Sequence, residues 1–258
     1  MAMRATWVGV ALFTVLRITS ALAQDAPPAT TSSTGAAPIS RTGSAPGRAS
    51  IGGLLGGSYF YLADEYSKGA QPRFNFVGQI RYVASPGWRF QISPGFTWSA
   101  YSKNEPPPFV DFKHPEDLTK ENYLTQLIPV SLQIQRTWGK LPWHHHVGIG
   151  PGVYRVWVEN HRTVLVDPVT FREHQGLYWG FSAEAGTEHF LKAMPNTSIE
   201  VTAVNHWVQA TRDDQFPTGW SSALGAIGLS AGVNYYFSLE HEKKATELPL
   251  PGTKPAKH

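Results

Sequence analysis

The chain contains no cysteine in its 258 residues. That excludes a disulfide scaffold, a catalytic thiol and any zinc site that needs thiolate ligands. Charge is scarce as well, at 16% of residues. The formal net charge of +3 comes from the two ends of the chain. The stretch 51–237 holds 14 Lys and Arg against 15 Asp and Glu, a net of −1. No basic surface for nucleic acid follows from such a balance. No apolar run reaches the length of about twenty residues that a membrane-spanning helix needs. What is plentiful is aromatic: nine Trp, ten Tyr and thirteen Phe. That content excludes disorder throughout.

Both ends of the chain read as something other than a folded domain. Arg4, the apolar run Trp7–Leu16 and the small residues Ala21-Leu22-Ala23 are expected to form a signal peptide over 1–23. The run is too short to span a bilayer, and Arg17 interrupts it. Residues 24–50 are mostly Ala, Pro, Ser, Thr and Gly, which predicts a disordered linker. Residues 240–258, with four Lys and three Pro, predict a disordered tail. The folded part is expected over 51–239.

Within that part the sequence alternates with period two. Trp88, Phe90, Ile92, Phe96 and Trp98 alternate with Arg89, Gln91, Ser93, Gly95, Thr97 and Ser99. Ile128, Val130, Leu132 and Ile134 alternate with Ser131, Gln133 and Gln135. The same pattern runs through Phe74–Tyr82, Trp179–Gly186, Ile199–Ala203 and Ile227–Phe237. Period two over such lengths means extended strands with two unlike faces. Ile51–Leu62 and Val147–Glu159 are Gly-rich and less regular; in the second, parity shifts near Pro151-Gly152, which predicts a bulge. The total is eight strands.

Strand length, aromatic placement and loop lengths distinguish a membrane barrel from a soluble sandwich. About ten residues per strand are needed to cross a bilayer at a tilt, against five or six in an ordinary soluble strand. Aromatics collect at strand ends, at Phe74 and Tyr82, Trp88 and Trp98, Tyr235 and Phe237, as in the girdles where lipid meets water. The connections alternate: 63–72, 101–122, 161–177 and 209–220 are long, whereas 85–87, 139–142 and 192–196 are short. Short turns on one side and long loops on the other are the pattern of an outer-membrane barrel. The fold class is therefore expected to be all-β, an eight-stranded antiparallel up-and-down transmembrane β-barrel. Backbone groups in lipid must pair internally, so the sheet must close.

These segments resemble the small eight-stranded outer-membrane β-barrel proteins, the superfamily of OmpA-, OmpX- and OmpW-like barrels. The residues that carry the resemblance are Trp88-Arg89-Phe90-Gln91-Ile92, Gly148-Ile149-Gly150-Pro151-Gly152-Val153-Tyr154, Gly180-Phe181-Ser182-Ala183-Glu184-Ala185-Gly186 and the closing Tyr235-Tyr236-Phe237. The resemblance covers about 51–237. It implies a Gram-negative outer-membrane location, export by the signal peptide, lipid and lipopolysaccharide as surroundings, and recognition by the barrel assembly machinery. It implies a monomer and no nucleic-acid partner. This chain departs from the family in that about twenty residues follow Phe237, where the last strand usually ends the chain. A second, peptidoglycan-binding domain is not expected.

Inward parity places Arg81, Arg89, Glu184, Glu188 and Glu200 in the lumen with Gln79, Gln91, Gln133 and Gln135. Buried charges must pair, and both signs are present. The expectation is a salt-bridged plug that fixes register; a narrow ion path or a catalytic carboxylate pair are the alternatives. A wide pore would need a much longer chain. Outward parity makes Phe76, Ile80, Phe90, Ile92, Val130, Leu132, Phe181, Val201, Leu229 and Val233 lipid-facing.

Other candidates carry less. His144-His145-His146 reads as an interfacial turn beside Trp143, with a weak surface metal site as the rival; on a strand only His144 and His146 would share a face. His206 lies at the outer end of the seventh strand, before Thr211, Asp213 and Asp214. Some small barrels are lipid A deacylases with a Ser two residues after the His. Here that position is Val208, and Ser221 and Ser222 are the substitutes. Glu105-Pro106-Pro107-Pro108 with Asp111, Lys113, Glu116, Asp117, Lys120 and Glu121 marks a long outer loop.

The expected function is an integral outer-membrane barrel that presents surface loops or passes only very small solutes, with no cofactor, no metal and no catalytic residue. The rival classes are a lipid A-modifying enzyme and a soluble periplasmic lipocalin-like carrier. The carrier would need an apolar lumen and a polar exterior, the reverse of the alternation read here.

Overall fold

The computed structural model describes residues 45–61, 68–102, 111–118, 123–209 and 223–239. Every described residue belongs to one compact unit within Ser40–His258. The expected signal peptide lies outside the described residues, as do most of the linker and the tail.

Eight long strands and two short ones follow in chain order. They are β1 (Arg48–Tyr61), β2 (Ala70–Gln71), β3 (Arg73–Ser85), β4 (Trp88–Tyr101) and β5 (Tyr123–Lys140). Then come β6 (Trp143–Asn160), β7 (Thr163–Val164), β8 (Gln175–Leu191), β9 (Met194–Gln209) and β10 (Ala223–Ser238). The long strands pair antiparallel around a ring, β4-β3-β1-β10-β9-β8-β6-β5, and β5 pairs back onto β4. The barrel is closed and leaves no sheet edge, as period-two strands with one apolar and one polar face require in lipid. Tight turns at Pro86-Gly87, Leu141-Pro142 and Lys192-Ala193 close one end, hereafter the inner end. Gly87 takes φ +80°, a conformation that favours glycine whatever the space around it. The ends of β1 and β10 also lie at the inner end, with Arg48 opposite Ser238.

Three readings from the sequence change. The first strand begins at Arg48, three residues inside the stretch read as linker. There is no bulge at Pro151-Gly152: the pairing of β6 with β8 runs unbroken from Trp143↔His189 to Trp157↔Gln175. The apparent change of parity comes from Tyr154, Val156 and Val158, which are apolar yet point inward. The irregularities fall at Val83/Ser85 and Phe190/Leu191, beside the inner turns. Finally, His144–His146 are paired strand residues of β6 rather than a turn.

The strands are longer than the alternation alone indicated. At about 3.4 Å per residue and a tilt of about 40°, the 18 residues of β5 or β6 rise about 45 Å. A lipid band takes about 25 Å. The surplus is shared between the two ends: Trp98 pairs with Gln126 and Trp88 with Arg136, so β5 runs past them on both sides.

Candidate functional site

The outward face is apolar. Phe76, Ile80, Phe90, Ile92, Val130, Leu132, Phe181, Val201, Leu229 and Val233 all point out of the barrel, at 44–61% exposure. The expected lumen residues Arg81, Arg89, Gln91, Gln133, Glu184, Glu188 and Glu200 are at most 7% exposed. Trp88 and Trp98, ten residues apart on β4, are separated by about 26 Å along the barrel axis at the rise and tilt given above.

The lumen is filled in three layers. At the inner end Val83, Phe190 and Tyr236 form an apolar floor, with the Phe190 and Tyr236 rings 5.4 Å apart. Above it lies the polar network read from the sequence. Arg81 Nη1 is 2.6 Å from both Glu188 Oε1 and Glu200 Oε2, and its Nη2 is 2.7 Å from Glu200 Oε1. Arg89 Nη1 meets Glu188 Oε2 at 2.7 Å. The Nε atoms of these arginines donate to Gln91 and Gln135 respectively. Glu184 meets amides instead of a guanidinium: Gln91 donates to it at 3.0 Å, and Gln135 donates as well. The Gln133 amide lies 2.9 Å from Ser182 Oγ and, turned to satisfy both its atoms, donates to Glu184 at 2.7 Å.

Four members of this layer were not assigned to this network from the sequence. Tyr236 donates to Glu188 at 2.9 Å, and Asn234 donates to Glu200 at 2.5 Å. His146 Nε2 lies 3.4 Å from Glu200 Oε1. Gly52 matters by what it lacks: a Cβ there would lie 1.9 Å from the Asn234 side-chain oxygen. The even parity of β10 was legible and would have found Asn234 and Tyr236. His146 needed β6 to be extended to Trp143. The layer therefore draws on seven long strands, with β1 giving way to it, and a slip of β3, β4, β8 or β9 would break an ion pair.

The outer third of the lumen is apolar, contrary to the polar lumen expected. Phe60, Tyr123, Leu127, Tyr154, Val156 and Val208 pack there among others. Between the polar and apolar layers sits His206, its Nδ1 3.2 Å from the Tyr154 hydroxyl. It points into the lumen, and the two voids beside it each have room for about one water molecule. Val208 is buried in the apolar layer. Thr211, Asp213, Asp214, Ser221 and Ser222 lie outside the described residues.

Loop segments cap this layer. Leu165, just after β7, is fully buried in the apolar cluster. Its amide donates to the Val158 carbonyl, and the His174 amide donates to the Leu165 carbonyl. The segment 111–118 is tied on through Asp111, itself fully buried. Asp111 accepts from the Val166 amide at 3.3 Å, the Lys113 amide at 3.1 Å and Asn160 Nδ2 at 3.0 Å. Asn160 also donates to Asp117 at 2.8 Å. Asp167 Oδ1 accepts from the amides of Val169 and Thr170 and from the Thr170 hydroxyl, forming a tight turn. That turn leaves Val169 and Phe171 81% and 64% exposed, and Phe171 sits at φ +55° with its ring edge-on to Phe112 at 5.1 Å. Burial holds the His174 imidazole down at about 4. Glu105 to Pro108, Lys120 and Glu121 lie outside the described residues. Among the described residues, no group of three His, Asp or Glu side chains is arranged to hold a metal ion.

No family model matches the chain, and no curated protein matches it. Solved structures do. Neisserial surface protein A is similar at 10% identity, covering 74% of this chain and 97% of that one, with a TM-score of 0.43. Ail, the attachment invasion locus protein of Yersinia pestis, is similar at 11% identity, covering 74% and 99%, with a TM-score of 0.41. The outer membrane protein OprG of Pseudomonas aeruginosa is similar at 11% identity, covering 75% and 97%, with a TM-score of 0.43. The barrel itself rests on the chain's own strand pairing, which closes the ring without reference to any of them.

Proposed function

We propose that this chain is an integral β-barrel of a Gram-negative outer membrane, a sealed anchor that presents an ordered cap at the cell surface. The observation that carries the reading is the polarity of the closed barrel: large apolar side chains outside, ion-paired arginines and glutamates inside. A soluble carrier of the lipocalin kind needs the opposite arrangement. The strand ends fit the same reading, since tight turns suit a periplasmic end and the long connections an outer one. Export by the N-terminal segment, recognition by the assembly machinery and residence as a monomer among lipid and lipopolysaccharide belong to this proposal.

A filled lumen favours an anchor over a channel. The polar layer and the apolar layer block the bore one above the other, so solute passage would require both to rearrange. A lipid-modifying enzyme is disfavoured by His206, which is turned to the lumen and onto Tyr154, away from the face where lipid would lie. The deciding experiment is fractionation with heat modifiability in detergent. The protein is expected in the outer-membrane fraction, with different gel mobility before and after boiling. A soluble periplasmic protein with no mobility shift would overturn the reading.

A further inference from the structure

The outward face between the two aromatic ends is apolar or small along most of its length, and Arg155 breaks that pattern. It sits on the outward parity of β6, between Ile128 of β5 and Leu177 of β8, and is exposed. A lipid-facing arginine is unfavourable in proportion to its depth. This one lies near the outer end, with its guanidinium 5.5 Å from the centre of the Trp157 ring, the next outward residue along the strand. Its hydrogen bond within the protein is long, 3.5 Å to Gln175 Oε1. Among the described residues no carboxylate is ion-paired with it. Glu159 accepts the Trp157 indole N–H at 2.8 Å, and Glu173 accepts from the Gln175 amide.

The arginine at the other end of the barrel behaves differently. Arg136 lies 5.2 Å over Trp88 and donates to the Gly87 carbonyl, fastening the turn beside it. Among the described residues, Arg155 makes only the long bond to Gln175, and it fastens no turn. The side chain is exposed, with apolar side chains on either flank and, among the described residues, no carboxylate paired with it. A partner that fits must carry an anion beside hydrocarbon.

We infer that Arg155, Trp157 and Gln175 form a headgroup site for a phosphate-bearing lipid of the outer leaflet. The guanidinium forks onto phosphate oxygens, Trp157 lies at the boundary between headgroup and acyl chain, and Val130, Val153 and Trp179, the next outward row toward the inner end, meet the chains below. The inference rests on the membrane-barrel reading above.

The test uses the full chain refolded into phosphatidylcholine nanodiscs doped with diphosphorylated lipid A or with its dephosphorylated form. Lipid retained on the protein is read by native mass spectrometry. The wild type is expected to retain the phosphorylated glycolipid about tenfold better than Arg155→Gln. The two should not differ for the dephosphorylated form. Arg155→Lys should fall between them, because an ammonium lacks the planar fork. Excess inorganic phosphate should not displace the glycolipid. Equal retention by wild type and Arg155→Gln overturns the site, and displacement by inorganic phosphate overturns a lipid as its occupant. Each sample is also run unboiled and boiled. No mobility shift in the wild type would mean that the barrel reading has failed, whereas a shift with equal retention means that only the headgroup site has. Should Arg155→Gln alone fail to fold, Arg155→Lys decides: retention equal to wild type at every glycolipid concentration counts against the fork.

Discussion

Arg81 and Glu200 face each other inside the barrel in a two-pronged ion pair, Nη1 to Oε2 at 2.6 Å and Nη2 to Oε1 at 2.7 Å, both side chains shut off from solvent. A buried pair of this kind adds little net stability over an apolar pair of equal shape, but removing one partner strands the other. Arg81→Met should therefore lower stability by about 3–5 kcal/mol. The readout is a heat-modifiability transition at a lower temperature. Arg81→Met with Glu200→Leu should recover much of the loss. If Arg81→Met alone melts like the wild type, the network does not hold the strands in register.

The outward face makes a separate prediction. Leu229→Arg and Val233→Arg each place a charge at an exposed apolar position of β10. Near the middle of a bilayer each should cost about 2–4 kcal/mol. The folded, protease-protected fraction in preformed vesicles should fall accordingly. Normal insertion of both variants would show that this face does not meet lipid.

Asp111 ties the segment 111–118 to Asn160 at the end of β6 and to Val166 beyond it through two accepted hydrogen bonds, and accepts a third from the Lys113 amide inside the segment. Asp111→Ala leaves those donors without it, at a local cost of about 1–3 kcal/mol. Amide exchange should quicken across 158–174. Planar-bilayer recordings should stay silent, because the polar layer beneath the cap is untouched. Unitary conductance steps in the wild type would refute the sealed barrel; steps in Asp111→Ala alone would make the cap its only seal.

Acid should loosen the same cap. Burial holds His174 below its ordinary 6.5, at about 4, against the raising pull of Asp167 and Asp111. The closed cap thus binds this proton less readily than the open one. Its stability is full above pH 6.5, falls as the pH drops toward about 4 and levels off below that. The shift from 6.5 to 4 corresponds to at most about 3 kcal/mol. Asp167 adds a loss at lower pH. Burial pushes its carboxyl up, but the Thr170 and Val169 donors overcome this and hold it below 3.8. Exchange over 158–174, corrected for intrinsic rates, should rise between about pH 7 and about pH 4.5. Flat protection across that range would remove His174 from the account, and His174→Phe should flatten the upper part of the profile.

Much of this architecture was legible because a strand's period of two assigns each side chain to a face. Arg81, Arg89, Glu184, Glu188 and Glu200 could be placed together from parity alone. Parity assigns a face without saying what fills it. Val156 and Val158 looked like a slip in register because an inward apolar residue was taken for an outward one. The outer third of the bore is filled by apolar side chains packed on one another, and such a filling closes a lumen as well as a polar one. His146 was hidden by reading its neighbours as a turn. Asp111 and Asn160 meet only through loop tertiary structure, which no local pattern encodes.

The pairing of β1 with β10 brings Arg48 to the Tyr236 carbonyl across 188 positions of chain. The ring therefore has a seam between its earliest and latest strands, and every other pairing can form before that one. A chain interrupted before β10 holds seven long strands with two bare edges, each offering a row of unpaired N–H and C=O groups. Completion waits on the last sixteen-residue strand. The interval before its arrival is when this protein most needs an escort, since an open sheet with an apolar outer face can pair with its neighbours as readily as with itself.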